Sequence, residues 1–156
     1  MSVGVNTELK LTKLQSIIYN VAERVYNNLG PGHSEKVYQK AMSCELNCNN
    51  ILHDLERHIS IKYIDSRNNV HILESERIDI LIHKNKDINN YVVIELKAVN
   101  KTMQEQQVVQ VNKYFKELKK ENIIPNYGVL INFPQPNYKE TKKTIEFKII
   151  QNILYE

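Results

Sequence analysis

Hydrophobic positions along the chain change their period twice. Between Leu11 and Leu29 the apolar residues Leu14, Ile17, Ile18, Val21, Val25 and Leu29 recur at helical spacing, and Gly30-Pro31-Gly32 stops the run. Ser34 is placed to cap a second helix that reaches about Asn49. Alternation then takes over. "ERHISIKYI" alternates through Ile59, Ile61 and Tyr63, "NVHIL" reads as a short strand, and "SERIDILIH" alternates through Ile78, Ile80 and Ile82. "YVVIELKAV" is apolar on both faces, as a central strand covered on each side must be. A helix from Thr102 to Glu121 follows, then a buried strand in "NYGVLINF", a loop in "PQPNY", and a last strand or strand-helix mixture in "TIEFKIIQNIL". The order ααββββαββ predicts an α/β fold, a mixed sheet flanked by helices.

With 156 residues, 42% of them hydrophobic, the chain suits a single domain over 1–156. The formal charge of +3 is compatible with a polyanionic partner but too small to require one. Cys44 and Cys48 have no second pair with which to build a zinc site or a disulfide framework. They are expected as reduced packing residues on the side of the second helix away from Glu35. No apolar run is long enough to span a membrane, and the first residues lack the stretch of a signal peptide, so a cytoplasmic protein is expected, a nuclear one being compatible.

Glu95 and Lys97 stand two apart in the central strand candidate. The spacing alone says little, because it recurs at Glu8/Lys10, Glu117/Lys119, Glu140/Lys142 and Glu146/Lys148. Context separates the central copy. In "TIEFKII" the apolar residues share one face and the charges the other, whereas Glu95 and Lys97 project from a face that also holds Val93 and Val99. A hairpin centred on Asp87 would set Asp79 opposite Glu95, with Cβ atoms roughly 5 Å apart. Two carboxylates so close repel unless a proton or cation sits between them, and with a backbone carbonyl they suit Mg²⁺ or Mn²⁺. The competing arrangement is a buried ion-pair network of Arg77/Asp79 and Glu95/Lys97.

Glu35 shares its helical stripe with Tyr38, Met42 and Leu46, which places a third acid at the head of an apolar face. On the later helix, Val108, Val111, Phe115 and Leu118 form the buried stripe, with Gln107, Gln110 and Tyr114 along its flank, where Gln110 can face a cleft or serve as a polar boundary residue. Lys113, Lys116 and Lys120 are expected on the outer, solvated side. His33, beside the Gly-Pro-Gly turn, reads as an exposed loop histidine.

Together, Gly30-Pro31-Gly32-His33-Ser34-Glu35-Lys36-Val37-Tyr38, Arg77-Ile78-Asp79, Glu95-Leu96-Lys97-Ala98-Val99, Gln110-Val111-Asn112-Lys113-Tyr114 and Gly128-Val129-Leu130-Ile131-Asn132-Phe133 closely resemble the GxxExxY proteins, a group within the PD-(D/E)xK nuclease superfamily. The resemblance implies an αβββαβ restriction-endonuclease-like core. It also implies a Mg²⁺- or Mn²⁺-dependent nuclease acting on nucleic acid, DNA before RNA, in which Asp79, Glu95, the Leu96 carbonyl and Glu35 serve the metal. Lys97 and Gln110 would complete the catalytic set, Gln110 matching a glutamine that related nucleases place after the catalytic strands. Where the group commonly has a histidine, three residues before that glutamine, this chain has Gln107. Related nucleases often work on duplexes as homodimers. The alternative is a catalytically silent nucleic-acid-binding or assembly protein that keeps the nuclease fold.

Overall fold

A computed structural model describes residues 11–86, 89, 91–103, 105–137 and 143–153. Two helices, α1 (Lys13–Leu29) and α2 (Glu35–Cys48), precede three strands, β1 (His53–Ile64), β2 (Val70–Ile82) and β3 (Val92–Lys97). Helix α3 (Glu105–Lys120) and strands β4 (Tyr127–Asn132) and β5 (Glu146–Gln151) follow. The observed order is therefore ααβββαββ. "NVHIL" and "SERIDILIH" are one long strand, β2, because the polar residues between them continue the ladder with β1 without a turn.

Each boundary has a local cause. Thr12 and Gln15 form a reciprocal cap on α1, the Gln15 amide donating to Thr12 Oγ1 at 3.2 Å and the Thr12 amide to Gln15 Oε1 at 3.0 Å. Gly30 ends the helix with φ = +67°, a conformation that favours glycine, and its N–H donates to the Tyr26 carbonyl at 2.7 Å.

The sheet runs β1-β2-β3-β4-β5, antiparallel throughout except for the β3/β4 pair. The parallel pair needs a crossover connection, which α3 supplies. Helices α1 and α2 cover one face, packing Ile18, Val21, Met42 and Leu46 onto Val92, Ile94, Leu96, Val129 and Ile131. Helix α3 covers the other with Val111, Phe115 and Leu118 against Val93 and Leu130. The two-sided apolar character of "YVVIELKAV" is thus the signature of a strand sandwiched between layers.

Beyond the sheet proper, β1 and β2 continue as a two-stranded ribbon. Its Tyr63, Ile64, Val70, Ile72 and Leu73 are exposed. Cys44 and Cys48 are also exposed, not packed as expected: α2 buries its Tyr38–Met42–Leu46 stripe and turns both thiols to solvent.

At Gly128 α3 lies close upon the sheet. A Cβ there would lie 2.6 Å from Val111 Cγ1, 3.1 Å from Phe115 Cζ and 3.4 Å from the Val93 carbonyl oxygen. Gly128→Ala is expected to destabilise the fold by about 1–3 kcal/mol, the usual cost of overpacking. Urea titration checks this, and a change below about 0.5 kcal/mol, the scale of a neutral surface substitution, would contradict it.

Candidate active site

The β2/β3 register is Ile80↔Ile94, Leu81↔Val93 and Ile82↔Val92. Continued by one position it sets Asp79 against Glu95, as the hairpin reading required; the proposed turn centre, Asp87, lies outside the described residues. The ladder, however, stops at Ile80. In its place the Leu96 N–H donates to Asp79 Oδ2 at 2.7 Å, so a carboxylate occupies the position of a strand carbonyl.

Why Asp79 turns sideways is visible in its neighbours. Ile78 packs on the α3 side while Ile80 packs with α1 and α2, so the two-residue alternation reverses across Asp79. On β1, the pairs Leu55↔Ile80 and Arg57↔Ile78 bracket Glu56, which has φ = +51°, a left-handed conformation that costs a non-glycine residue about 1 kcal/mol. The β1/β2 ladder skips one pair at that point. The Glu56 carboxylate is held there by Lys36 Nζ at 3.6 Å and Arg77 Nη1 at 3.5 Å. Arg77 therefore pairs with Glu56, not with Asp79.

Glu95 is buried, and one of its oxygens, Oε1, lies 3.5 Å from Lys97 Nζ. The other, Oε2, is buried without a hydrogen-bond partner. The Asp79 and Glu95 carboxyls are within reach of a shared proton. Burial pushes both pKa values up, further for Glu95 because the Asp79 charge adds to it, and Lys97 opposes the rise. Two acids in this state favour any cation that can replace the proton. The Leu96 carbonyl faces the same way, because a strand residue's N–H and C=O point to one side and the Leu96 N–H is given to Asp79.

Glu35 departs from the sequence expectation. It is exposed, not buried at the head of α2, because the apolar stripe begins only at Tyr38. It still stands close enough for its charge to raise the pKa values of both Asp79 and Glu95. Among the described residues no three His, Cys, Asp or Glu side chains gather into a ready metal cluster. The tight unit is the Asp79–Glu95 pair, with Glu35 at its mouth.

Gln110 is half-buried and donates from Nε2 to the Tyr114 hydroxyl at 2.8 Å, while that hydroxyl donates to the Arg77 carbonyl at 3.2 Å. Burial first, then the Glu95 charge, drives the Tyr114 pKa far upward, so the hydroxyl keeps its proton. Tyr114 thus links Gln110 to the strand that carries Asp79. On sequence this tyrosine was placed only along the flank of the buried stripe. Lys113, expected in solvent, pairs with Glu76 on β2. His33 is exposed as expected, its ring edge-on to Tyr38.

Asn132 went unassigned on sequence, although it lies in a quoted motif. Fully buried at the end of β4, it accepts from the Val99 N–H at 3.0 Å and donates to the Val99 carbonyl at 3.2 Å and to Glu146 Oε1 at 2.8 Å. It fixes the chain just past Lys97. A buried asparagine that ends an apolar strand was the available signal.

A family model described as the PD-(D/E)XK nuclease superfamily matches residues 12–145. The chain belongs to that superfamily. Among solved structures, that of the protein SSO0001 superposes with a TM-score of 0.52 at 16% identity, covering 75% of this chain and 50% of that one. That likeness concerns the fold alone, and the chain spans about half the length of that relative. No curated protein matches. The mixed sheet between helices is the nuclease fold of the superfamily, whose members generally use divalent metals. No described helix is long and apolar enough to cross a membrane.

Proposed function

We propose that this protein is a Mg²⁺- or Mn²⁺-dependent nuclease that hydrolyses phosphodiester bonds, in DNA before RNA, and that it belongs to the GxxExxY group. What carries the reading is half-buried Asp79 beside buried Glu95, whose one oxygen has no hydrogen-bond partner and whose other lies 3.5 Å from the Lys97 amine. Such a pair is a poor source of stability, because apolar replacements of buried charges are often neutral or stabilising.

Asp79, Glu95 and the Leu96 carbonyl would hold the ion, with Glu35 reaching it directly or through water. When bound, a divalent ion neutralises charge on the phosphoryl group and lowers the pKa of its water. The rest falls to the chain. Asp79 is aimed by the Leu96 N–H, so its free oxygen is presented without a search of rotamers. Lys97, half-buried, offers its ammonium to the phosphate oxygens, where charge develops. Gln110, steadied by Tyr114, orients Lys97, the attacking water or a phosphate.

Cleavage of linear, circular, single-stranded and branched DNA, and of RNA, with and without Mg²⁺ or Mn²⁺, tests the proposal. Metal-dependent product is expected. Undiminished binding with no product under either metal would instead identify a silent nucleic-acid-binding protein. A homodimer acting on duplexes belongs to the same reading, and sedimentation of the protein with and without duplex checks it.

A further inference from the structure

Helix α2 does not secure its own beginning. Ser34 occupies the N-cap without a side-chain cap hydrogen bond, and Glu35 follows directly. The turn before it contains Gly30 and Gly32 at φ = +67° and +103°, and a Cβ at either would touch nothing within 4 Å. Neither glycine is fixed by packing at the place a side chain would take. Beyond the Gly30 N–H bond to the Tyr26 carbonyl, a distant side chain grips the turn.

Gln135 Oε1 accepts the Gly32 N–H at 2.6 Å. Its Nε2 donates to the Tyr38 hydroxyl and to the Phe133 carbonyl, both at 3.0 Å. Its backbone N–H donates to the Val99 carbonyl at 3.3 Å, and the Tyr38 hydroxyl in turn donates to the Gly30 carbonyl at 2.7 Å. One residue therefore joins the end of β4, the segment after Lys97, the glycine turn and the first turn of α2. Tyr38 lies three residues beyond Glu35, on the same side of the helix, with its ring stacked on Phe133 at 4.4 Å.

We infer that Gln135 is a positioning residue that fixes the Gly30–Gly32 turn and thereby where Glu35 stands over the Asp79–Glu95 pair. The second half of the inference rests on the metal-centre reading above. It also gives the Gly-x-x-Glu-x-x-Tyr spacing a physical meaning: Gly32 offers the N–H that is gripped, Tyr38 offers the hydroxyl that is gripped, and Glu35 is carried between them.

Gln135→Met keeps the length of the side chain and removes its hydrogen bonds. In metal-free protein, hydrogen exchange at the Gly32 amide is expected to accelerate about tenfold while the Ile94 and Val129 amides stay protected. Unchanged Gly32 exchange overturns the inference. Mn²⁺ titration by calorimetry supplies the second readout. Glu35→Gln is expected to weaken Mn²⁺ binding about tenfold and Gln135→Met about three- to tenfold, with the double variant no weaker than Glu35→Gln alone, since both changes remove one contribution. Multiplying effects, or parental affinity in Gln135→Met, would sever Gln135 from Glu35. If the parent itself takes up no Mn²⁺, the metal-centre reading and the Glu35 half fall together, and Gly32 exchange still decides whether Gln135 holds the turn.

Discussion

Lys97→Ala is expected to slow metal-dependent cleavage by about 10²- to 10³-fold at saturating Mg²⁺, the scale seen when one preorganised donor is lost from a site of developing charge. Affinity for the ion should move the other way. Lys97 Nζ is the cation 3.5 Å from Glu95, and its removal leaves the buried carboxyls with less neutralisation, which favours a divalent ion. Single-turnover cleavage beside Mn²⁺ titration separates the two. A variant that cleaves at the parental rate in saturating metal would remove Lys97 from the chemistry. Equal losses of rate and affinity would make it only a prop for Glu95.

Much of this arrangement was legible in the sequence because it follows from period and register. The sandwiched strand declares itself through apolar residues on both faces, and Glu95 and Lys97 stand out against that background. Counting outward from Asp87 set Asp79 against Glu95, and the observed pairs Ile80↔Ile94 to Ile82↔Val92 obey the same register. The union of "NVHIL" with the next strand was less legible, since an exposed ribbon needs no hydrophobic continuity and the linking Glu74, Ser75 and Glu76 resemble a loop.

What could not be read depends on departures from regular geometry or on contacts distant in sequence. Period-two reasoning puts Asp79 on a face of the sheet; instead the β1/β2 ladder skips the Glu56/Asp79 position and the Asp79 carboxylate meets the Leu96 N–H. Helical-wheel reasoning assigned Glu35 a buried stripe, but a wheel carries no information about where a helix end lies relative to the core. Gln135 lies in a Pro-flanked loop, and its partners Gly32 and Tyr38 are about a hundred residues away. Only the folded chain brings them together.

The second large effect concerns stability and its dependence on pH. Asp79 and Glu95 both have folded-state pKa values raised above their ordinary values of 3.8 and 4.5. The folded state therefore binds protons that the unfolded chain releases. By linkage, this pair's contribution to the stability of the metal-free protein is fully present below the ordinary carboxylate range and is lost as pH rises through the raised values. Asp79→Asn removes one of these charges while leaving an oxygen for the Leu96 N–H and adding an amide donor beside the Glu95 carboxyl. At pH 8 without metal the variant is expected to be more stable than the parent by about 1–3 kcal/mol, one pKa unit being worth about 1.4 kcal/mol. This corresponds to roughly 2–10 °C in Tm for a domain of this size. At pH 4, where the parental acids are largely protonated, the advantage should nearly vanish. Mn²⁺ should then raise the Tm of the parent but not that of the variant, because an ion that binds only the folded state stabilises it by mass action. Melting curves at the two pH values, each with and without Mn²⁺, give all four quantities. A variant less stable than the parent at pH 8 without metal would mean that the two carboxyls support the fold, and the case for a strained, cation-seeking pair would be lost.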